Sequence, residues 1–280
     1  EIPDMWQCKA APIPPRMEEM ILPEGLSMHH PPKALGQTCL NMFYFGALWN
    51  GAKVYEELGD ASAAKTCSEK AAALKTAVNS LLYDSQRKLY FEGLNTPTPQ
   101  ELLDTFMPQN TDKRYYLKHS NILAAYFGIC DSDLAKEIID KIMSDECPGD
   151  YQPYFAHYLL EAIYNNGLRD KYTLDVLEKW KAPVAACSKG LVEGFIAPEP
   201  TYSFDHSHAW GGTPLYSLPK AILGLKILKP GLVELELCPS LLGLKSARIE
   251  LPTIYGDVVC EISENKKPII TYPREITVHI

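Results

Sequence analysis

The sequence predicts a mainly α-helical protein that ends in a small antiparallel β domain. Apolar residues recur at helical spacing from Gly36 to about residue 225, and after Pro230 they alternate with polar residues. The helical stretches pair through short turns and have no fixed repeat length. Antiparallel pairs of this kind favour a closed helical barrel or toroid over a regular solenoid.

Three segments follow from these patterns. Residues 1–35 contain seven prolines, which fix φ and remove backbone donors, so we expect a proline-rich arm or linker there. Residues 36–227 are predicted to form the α/α barrel domain. Residues 228–280 are predicted to form the β domain, because the apolar period changes near Lys226 to Pro230.

The first predicted helical hairpin covers residues 36–82. Gly59 is placed to end its first helix, and Asp60 is placed to cap the second, which runs from Ala61 to Leu82. The apolar stripe of the first helix is predicted to consist of Leu40, Phe43, Ala47, Leu48, Gly51, Val54, Tyr55 and Leu58.

Two further helices are predicted between residues 115 and 142. The first runs from Tyr115 to Ile129, and Asp131 or Ser132 caps the second. The buried stripe of the second is predicted to consist of Leu134, Ile138, Ile139 and Ile142.

The next helix is predicted to end at Asn165-Asn166-Gly167, and Asp170 can cap a helix that continues through Trp180. The last helix is predicted from about Thr213 to Leu223. The buried face of the helix before Asn165 is predicted to consist of Tyr154, Phe155, Tyr158, Leu159, Ala162 and Ile163.

Five short strands are predicted after Pro230, since apolar and polar residues alternate between Gly, Pro and Asn turns. We expect no strand within residues 36–180 and an antiparallel arrangement in the β domain. The strands are predicted at residues 233–237, 247–251, 257–262, 269–272 and 276–280.

The composition excludes several classes of function. Apolar residues make up 46% of the chain and charged residues 22%, which is typical of a soluble globular protein. The net charge of -8 and the scattered Lys and Arg residues argue against a nucleic-acid partner. No apolar run is long enough for a membrane helix, and no motif implies a cofactor. A homo-oligomer stays open.

The eight cysteines form no Cys-x-x-Cys pair, so buried free thiols are favoured over disulfides or a zinc site. Free thiols favour a reducing, cytoplasmic compartment. The N-terminus lacks the basic start and apolar core of a signal peptide. A signal that has already been removed would leave a periplasmic or secreted location open.

The stretch from residue 190 to residue 210 carries the candidate chemistry. Glu193 follows Gly190-Leu191-Val192, and Asp205-His206-Ser207-His208-Ala209-Trp210 precedes the last helix. Aromatic faces stack on the C–H surfaces of sugars, and imidazoles suit vicinal hydroxyls, so these residues indicate a carbohydrate site. The alternatives are a surface role for Glu193, helix capping by His208 and a core position for Trp210. A metal site is disfavoured because no third ligand has a suitable spacing.

The order of these motifs resembles the C-terminal half of the α-L-rhamnosidase family of inverting glycoside hydrolases. In that family a Trp-Glu carboxylate precedes a Ser-His-x-Trp-x-x-x-Pro block, which Ser207-His208-Ala209-Trp210 and Pro214 match here. A Leu-Gly helix end follows, as at Leu223-Gly224. The resemblance covers roughly residues 36–280. It implies a six-hairpin α/α barrel, in complete or incomplete form, a C-terminal β-sandwich, and inverting hydrolysis of terminal rhamnosides.

The resemblance also implies roles for individual residues. Glu193 corresponds to the catalytic base, although the residue before it is Val192 where the family usually has Trp. His208 corresponds to a sugar contact and Trp210 to a pocket wall. Tyr154 lies in a helix start similar to one that lines the barrel mouth. Asp205 and His206 are expected to contact substrate, and Asp205 or Glu199 replaces Glu193 if the alignment shifts by a few residues.

The family's general acid belongs to an Arg-x-Glu-Arg-x-Gly-Trp-like segment, and this sequence has no such segment. We therefore expect a fragment or shortened form with little activity alone. One alternative is a non-catalytic helical interaction or carbohydrate-binding module, since Trp49 to Ala64 looks like a tetratricopeptide hairpin. Another is a lyase of the helical-barrel kind that uses Tyr202 and His206.

Overall fold

The computed structural model describes residues 21–22, 26–27, 37–94, 114, 116–186, 190–191, 193–195 and 208–280. The chain divides into two compact units, Glu1–Tyr151 and Gln152–Ile280. Most of the predicted N-terminal arm lies outside the described residues. Within it, strands β1 (Ile21–Leu22) and β2 (Leu26–Ser27) pair in antiparallel fashion.

The first unit contains the predicted helical hairpin, made of α1 (Thr38–Glu57) and α2 (Ala61–Leu81). Gly59 has a φ of +79°, a conformation that glycine adopts at no steric cost. The Asp60 carboxylate accepts a hydrogen bond of 2.9 Å from the backbone N–H of Ala63. Both predicted boundary residues are therefore confirmed, because a local backbone requirement selects each of them.

The predicted apolar stripe of α1 is wrong in phase. Leu40, Val54, Tyr55 and Leu58 are exposed, and Leu58 retains 74% of its accessible surface. Apolar residues occur on several sides of this helix, so periodicity alone does not decide which side packs. The buried side is instead formed by Thr38, Met42, Phe45, Gly46 and Ala52.

A short hairpin in the first unit contradicts the prediction that residues 36–180 contain no strand. Strands β3 (Tyr83–Asp84) and β4 (Leu89–Tyr90) pair in antiparallel fashion. The Asp84 carboxylate accepts hydrogen bonds from the backbone N–H groups of Gln86 and Arg87 and thereby stabilises the turn. Strands of two residues are too short to produce a sequence period.

Helices α3 (Lys118–Tyr126) and α4 (Ser132–Met143) follow. Helix α3 is shorter than predicted at both ends, and Gly128 in the left-handed region ends the turn that follows it. Asp131 caps α4 by accepting a hydrogen bond of 2.9 Å from the N–H of Leu134, as predicted. The buried residues of α4 are Ala135, Ile138, Ile139 and Ile142.

The second unit begins with α5 (Pro153–Asn165), whose predicted end is confirmed. Its predicted buried face is partly wrong, because Tyr154 is exposed and both Phe155 and Tyr158 are half-buried. Leu159, Ala162 and Ile163 are buried as predicted. The aromatic residues of the first two turns instead belong to a surface cluster.

Helices α6 (Arg169–Leu177) and α7 (Lys181–Ala186) flank a 3₁₀ turn at Glu178–Trp180. The prediction that Asp170 caps this segment is wrong, since the N-cap position is Leu168. Asp170 lies inside the first turn and accepts a hydrogen bond from the Ser240 hydroxyl. A distant partner thus takes the carboxylate that the sequence assigns to a cap.

Helix α8 spans Thr213–Leu223 as predicted and ends at Gly224, which is in the left-handed conformation. Two three-stranded sheets follow, with orders β10-β6-β5 and β7-β8-β9. The strands are β5 (Lys226–Lys229), β6 (Glu234–Glu236), β7 (Ser246–Thr253), β8 (Gly256–Ser263), β9 (Ile269–Thr271) and β10 (Thr277–His279).

The β part differs from the prediction in two ways. Strand β5 precedes Pro230, and β10 pairs with β6 in parallel with Thr277 opposite Glu234. The parallel pair forms because the β7–β9 segment separates the two strands in sequence and works as a crossover connection. The other pairs of these two sheets are antiparallel.

One apolar core joins α8 to both sheets. Leu223 at the end of the helix packs with Leu235 and Leu237 from one side and with Val258 and Cys260 of β8. These side chains are at most 1% exposed, so the C-terminal end of α8 is firmly held. The N-terminal end of the same helix carries the candidate site.

The cysteines described at positions 39, 67, 130, 147, 238 and 260 are free thiols. Among the helices that the structure describes, none is both long and apolar enough to cross a bilayer. The predicted division near residue 228 between a helical domain and a β domain stays a prediction.

Candidate active site

The candidate site lies in the second unit, at the N-terminal ends of α5 and α8. Trp210 has its ring centroid 4.0 Å from that of His208 and 5.1 Å from that of Tyr154. Tyr154 is 40% exposed and Trp210 is 39% exposed. Trp210 is therefore not a core residue. Three of the residues singled out in the sequence thus meet in one aromatic cluster that a ligand can reach.

His208 occupies the N-cap position of a 3₁₀ turn formed by Ala209–Gly212, but its side chain makes no capping hydrogen bond. The alternative that His208 caps the following helix is therefore not confirmed. The imidazole contacts the indole of Trp210 instead.

Helices α5 and α8 run side by side in the same direction. Tyr154 contacts Trp210 at their starts, His157 lies 5.8 Å from Tyr216 one turn later, and Glu161 pairs with Lys220 further along. Neither helix is capped by a side chain of its own N-cap residue. The positive ends of both helix dipoles therefore lie on the side of the site.

The segment that carries Glu193 is anchored on both sides to these helix ends. The Leu191 carbonyl accepts a hydrogen bond of 2.8 Å from the backbone N–H of His208. The Phe195 N–H donates a hydrogen bond of 2.8 Å to the Gln152 side-chain oxygen. Glu193 lies between these two anchors and is half-buried. Its assignment as the catalytic base stays a prediction.

Trp180 is a buried residue that contacts both the Glu193 segment and the turn that carries Trp210. It is 5% exposed, and its indole N–H donates a hydrogen bond of 2.9 Å to the carbonyl of Gly211. The Phe195 ring packs edge-on against it at 4.6 Å. One buried indole thus connects the Glu193 segment with the turn that carries Trp210. Sequence reasoning assigned Trp180 only to a helix end and gave Gln152 no role.

Tyr158 and His157 extend the site beyond Tyr154, and sequence reasoning gave neither of them a role in it. The Tyr154 and Tyr158 hydroxyls lie 3.1 Å apart. Burial lowers the pKa of His157, an effect that Glu161 opposes and Lys220 reinforces, so the imidazole is neutral at pH 7. These residues recur at positions 154, 157, 158 and 161, a helical spacing that could have identified a common face.

Glu161 and Lys220 form an ion pair that joins the two helices. The Lys220 ammonium lies 2.7 Å and 2.9 Å from the two carboxylate oxygens, and both side chains are largely buried. Burial alone would lower the pKa of Lys220, but the hydrogen bond to Glu161 and its negative charge outweigh burial and raise it. The Lys220 side of the pair therefore stays charged at neutral pH.

Asp205 and His206, predicted as substrate contacts, lie outside the described residues, as do Glu199 and Tyr202. Among the residues that are described, no three His, Cys, Asp or Glu side chains are grouped so that they could hold a metal ion.

A separate buried carboxyl group lies in the first unit and was not predicted. Glu92 is 3% exposed and accepts a hydrogen bond of 3.3 Å from the N–H of Leu117 at the start of α3. Its other oxygen is 3.9 Å from the Cys39 thiol, which lies 3.3 Å from the Ser120 hydroxyl. Burial raises the pKa of Glu92 to about 7, although hydrogen bonds from Ser120, Leu117 and Cys39 oppose the shift.

Comparison with known proteins identifies the fold. No family model and no curated protein matches the sequence. Among solved structures, a GH78 family rhamnosidase of Bacillus sp. GL1 superimposes with a TM-score of 0.72 at 19% identity. The match covers 94% of this chain and 29% of the Bacillus protein.

Two further structures agree. The α-L-rhamnosidase from Dictyoglumus thermophilum superimposes with a TM-score of 0.64 at 18% identity. This match covers 84% of this chain and 26% of the Dictyoglumus protein. A rhamnosidase from Klebsiella oxytoca with rhamnose bound has a TM-score of 0.53 at 19% identity, with 70% of this chain and 36% of that one covered.

The chain therefore has a fold found in glycoside hydrolases. More specifically, its fold is α-L-rhamnosidase-like, which confirms the resemblance predicted from the motifs. About half of the described chain is helical, and several small sheets accompany the helices. The chain spans between about a quarter and about a third of the length of these proteins.

Proposed function

We propose that this chain carries the sugar-binding and water-activating part of an α-L-rhamnosidase-type active site. The observation that supports this most strongly is the cluster of His208 with the exposed rings of Tyr154 and Trp210, beside the anchored segment of Glu193. Aromatic faces bind the apolar side of a pyranose ring, and imidazole and phenol groups bind its hydroxyls. The ligand of this cluster is a terminal L-rhamnose.

Glu193 is the general base in this proposal. Its ionised carboxylate accepts a proton from a water molecule that attacks the anomeric carbon on the face opposite the leaving group, which inverts the configuration. The positive ends of the α5 and α8 dipoles lie on the side of this segment. His208 and Trp210 hold the sugar while the bond to the leaving group breaks.

Inverting hydrolysis also needs a general acid that carries a proton before the reaction. Glu161 is unsuited to this role, because the Lys220 ammonium donates hydrogen bonds to both of its oxygens. Asp205 and Glu199 are further candidate acids, and both lie outside the described residues. We propose that this chain alone hydrolyses rhamnosides slowly, since acid assistance is worth ~10² to 10⁴-fold in rate.

The architecture of the wider protein is part of the same proposal. The hairpin of α1 and α2 and the parallel helices α5 and α8 fit a six-hairpin toroid. The two sheets fit a β-sandwich, because Leu235 from one sheet and Val258 from the other pack in a single core. The proposed domains are residues 36–227 and 228–280.

Titration calorimetry of the full chain with L-rhamnose tests the proposed function. We expect saturable binding that Trp210→Ala abolishes, because the indole supplies the stacking face. Trp49→Ala is the matched control, since Trp49 is 49% exposed but lies in the first unit. Absence of rhamnose binding, or equal loss in both variants, would overturn the proposal. Binding without hydrolysis would favour the non-catalytic carbohydrate-binding alternative.

A further inference from the structure

Two arginines of the first unit pack on aromatic rings. The Cζ atom of Arg87 lies 4.7 Å from the centroid of the Tyr116 ring, and that of Arg114 lies 4.6 Å from the centroid of the Phe91 ring. The other arginines that the structure describes form ion pairs with carboxylates; they are Arg169, Arg248 and Arg274. Within the described part of the chain, no carboxylate forms an ion pair with Arg87 or Arg114.

The two rings hold the arginines in place and leave their donors free for a ligand. Phe91 is 4% exposed and Tyr116 is 8% exposed, and the rings pack edge-on with centroids 6.2 Å apart. Arg87 and Arg114 themselves are exposed. A guanidinium group that stacks on a ring uses its face, whereas its N–H groups lie in its plane and point past the ring.

Both guanidinium groups act on the same hydroxyl group. Burial raises the pKa of Tyr116, and a hydrogen bond from Arg114 and the positive charge of Arg87 oppose this rise. The Asp84 carboxylate lies beside them but is occupied by other donors. It accepts a hydrogen bond of 2.6 Å from the Tyr116 hydroxyl and two more from the backbone of its own turn.

The surroundings of Arg87 carry further positive charge, although the whole chain has a net charge of -8. Lys88 and Lys141 share one carboxylate, that of Glu137, at 2.7 Å and 3.4 Å. The Lys141 ammonium also donates a hydrogen bond of 2.6 Å to the Arg87 carbonyl and so ties the turn to α4. The turn that carries Arg87 is therefore fixed and locally basic.

We propose that Arg87 and Arg114 bind a phosphate group, either free or carried as a monoester by a small molecule. Two guanidinium forks offer more in-plane donors than the two oxygens of a carboxylate can accept, whereas a phosphate group has three or more oxygens. Its charge of about -1.5 to -2 at pH 7 also matches two cations. The site uses none of the residues of the candidate active site, so the proposed function does not depend on it.

Titration calorimetry of the full chain at neutral pH with inorganic phosphate, phenyl phosphate and acetate tests this site. We expect saturable phosphate binding, with acetate much weaker. Arg87→Ala and Arg114→Ala should each weaken phosphate binding about tenfold or more, because hydrogen bonds between charged groups are lost. Arg87→Lys keeps the charge but not the fork, and should weaken it at least about threefold. Arg274→Ala is the matched control, since its side chain is 94% exposed in the β part.

The remaining outcomes decide the source of the phosphate group or overturn the site. Tighter binding of phenyl phosphate supports a monoester as the ligand, and tighter binding of inorganic phosphate supports the free anion. The proposal is wrong if neither phosphate binds saturably, if acetate binds as tightly, or if Arg274→Ala weakens binding as much as Arg87→Ala and Arg114→Ala. It is also wrong if Arg87→Ala and Arg114→Ala, folded as judged by circular dichroism, bind phosphate like wild type.

Discussion

Replacing Glu92 by glutamine should remove a pH dependence from the stability of the first unit. Burial raises the pKa of Glu92 to about 7 from 4.5, so the folded state holds its proton more tightly than the unfolded state. A raised folded pKa contributes stability that is fully present below the unfolded pKa and is lost as pH rises through the folded pKa. Wild type should therefore lose stability between about pH 4.5 and pH 8.

The two pKa values give the size of the effect. Between pH 5 and pH 8.5 the linkage relation gives a loss of about 2.5 kcal/mol in the free energy of unfolding from this group. A glutamine side chain carries no titrating proton and retains an oxygen that can accept from the N–H of Leu117, so the Glu92→Gln variant should lack this loss.

Urea unfolding followed by far-ultraviolet circular dichroism at pH 5 and at pH 8.5 provides the assay. The contributions of the other titrating groups to the free energy of unfolding are the same in wild type and variant, so they cancel when the two pH dependences are subtracted. Glu57→Gln is the matched control, because Glu57 is exposed at the end of α1. The explanation is refuted if Glu92→Gln and wild type lose the same stability over this pH interval, or if Glu57→Gln reproduces the effect.

Two further predictions concern packing and charge, and urea unfolding measures both. Gly46→Ala should destabilise the chain by about 1 to 3 kcal/mol, because the added Cβ would collide with the Phe127 ring. Gly51→Ala is the control and should stabilise the chain by about 0.5 to 1 kcal/mol, because the nearest atom to its added Cβ, the Cys67 sulfur, is 4.0 Å away. Equal effects of the two substitutions would refute the predicted collision. Lys220→Met should lower the free energy of unfolding by about 3 to 5 kcal/mol, because it leaves Glu161 buried and unpaired. The double variant that also carries Glu161→Leu should recover most of this stability. If it does not, the loss in Lys220→Met does not come from the unpaired charge.

Features that depend on neighbouring residues in the sequence were predictable. Gly59, Asp60 and Asp131 end or cap helices as expected, because a left-handed turn or an unpaired N–H selects each of them. The bounds of α8 were also predicted, since Gly224 ends the helix in a conformation that suits glycine. Local chemistry is sufficient in these cases.

Features that depend on distant partners were not predictable. The Asp170 carboxylate accepts a hydrogen bond from the Ser240 hydroxyl and does not cap a helix. Gly46 packs on the Phe127 ring, and this contact with another element places that side of α1 in the interior. The parallel pairing of Thr277 with Glu234 depends on the path of the chain between them. No pattern within one element of the sequence contains this information.

Some residues of the candidate site could likewise be predicted from the sequence, and others could not. The residue types of His208 and Trp210 indicated a sugar site, and their contact with each other and with Tyr154 brings them together. The contribution of Tyr216 was missed because it faces the site only through the parallel packing of α5 and α8. The raised pKa of Glu92 arises from burial, which the sequence does not display.

The role of Glu193 is the central claim, and the hydrolysis kinetics of 4-nitrophenyl α-L-rhamnopyranoside test it most directly. Glu193→Gln keeps the size of the side chain but removes the base, so kcat should fall ~10² to 10⁴-fold relative to wild type while KM changes little. Glu264→Gln, at an exposed residue of the β part, should match wild type. A Glu193→Gln variant whose kcat stays within about threefold of wild type would contradict the account.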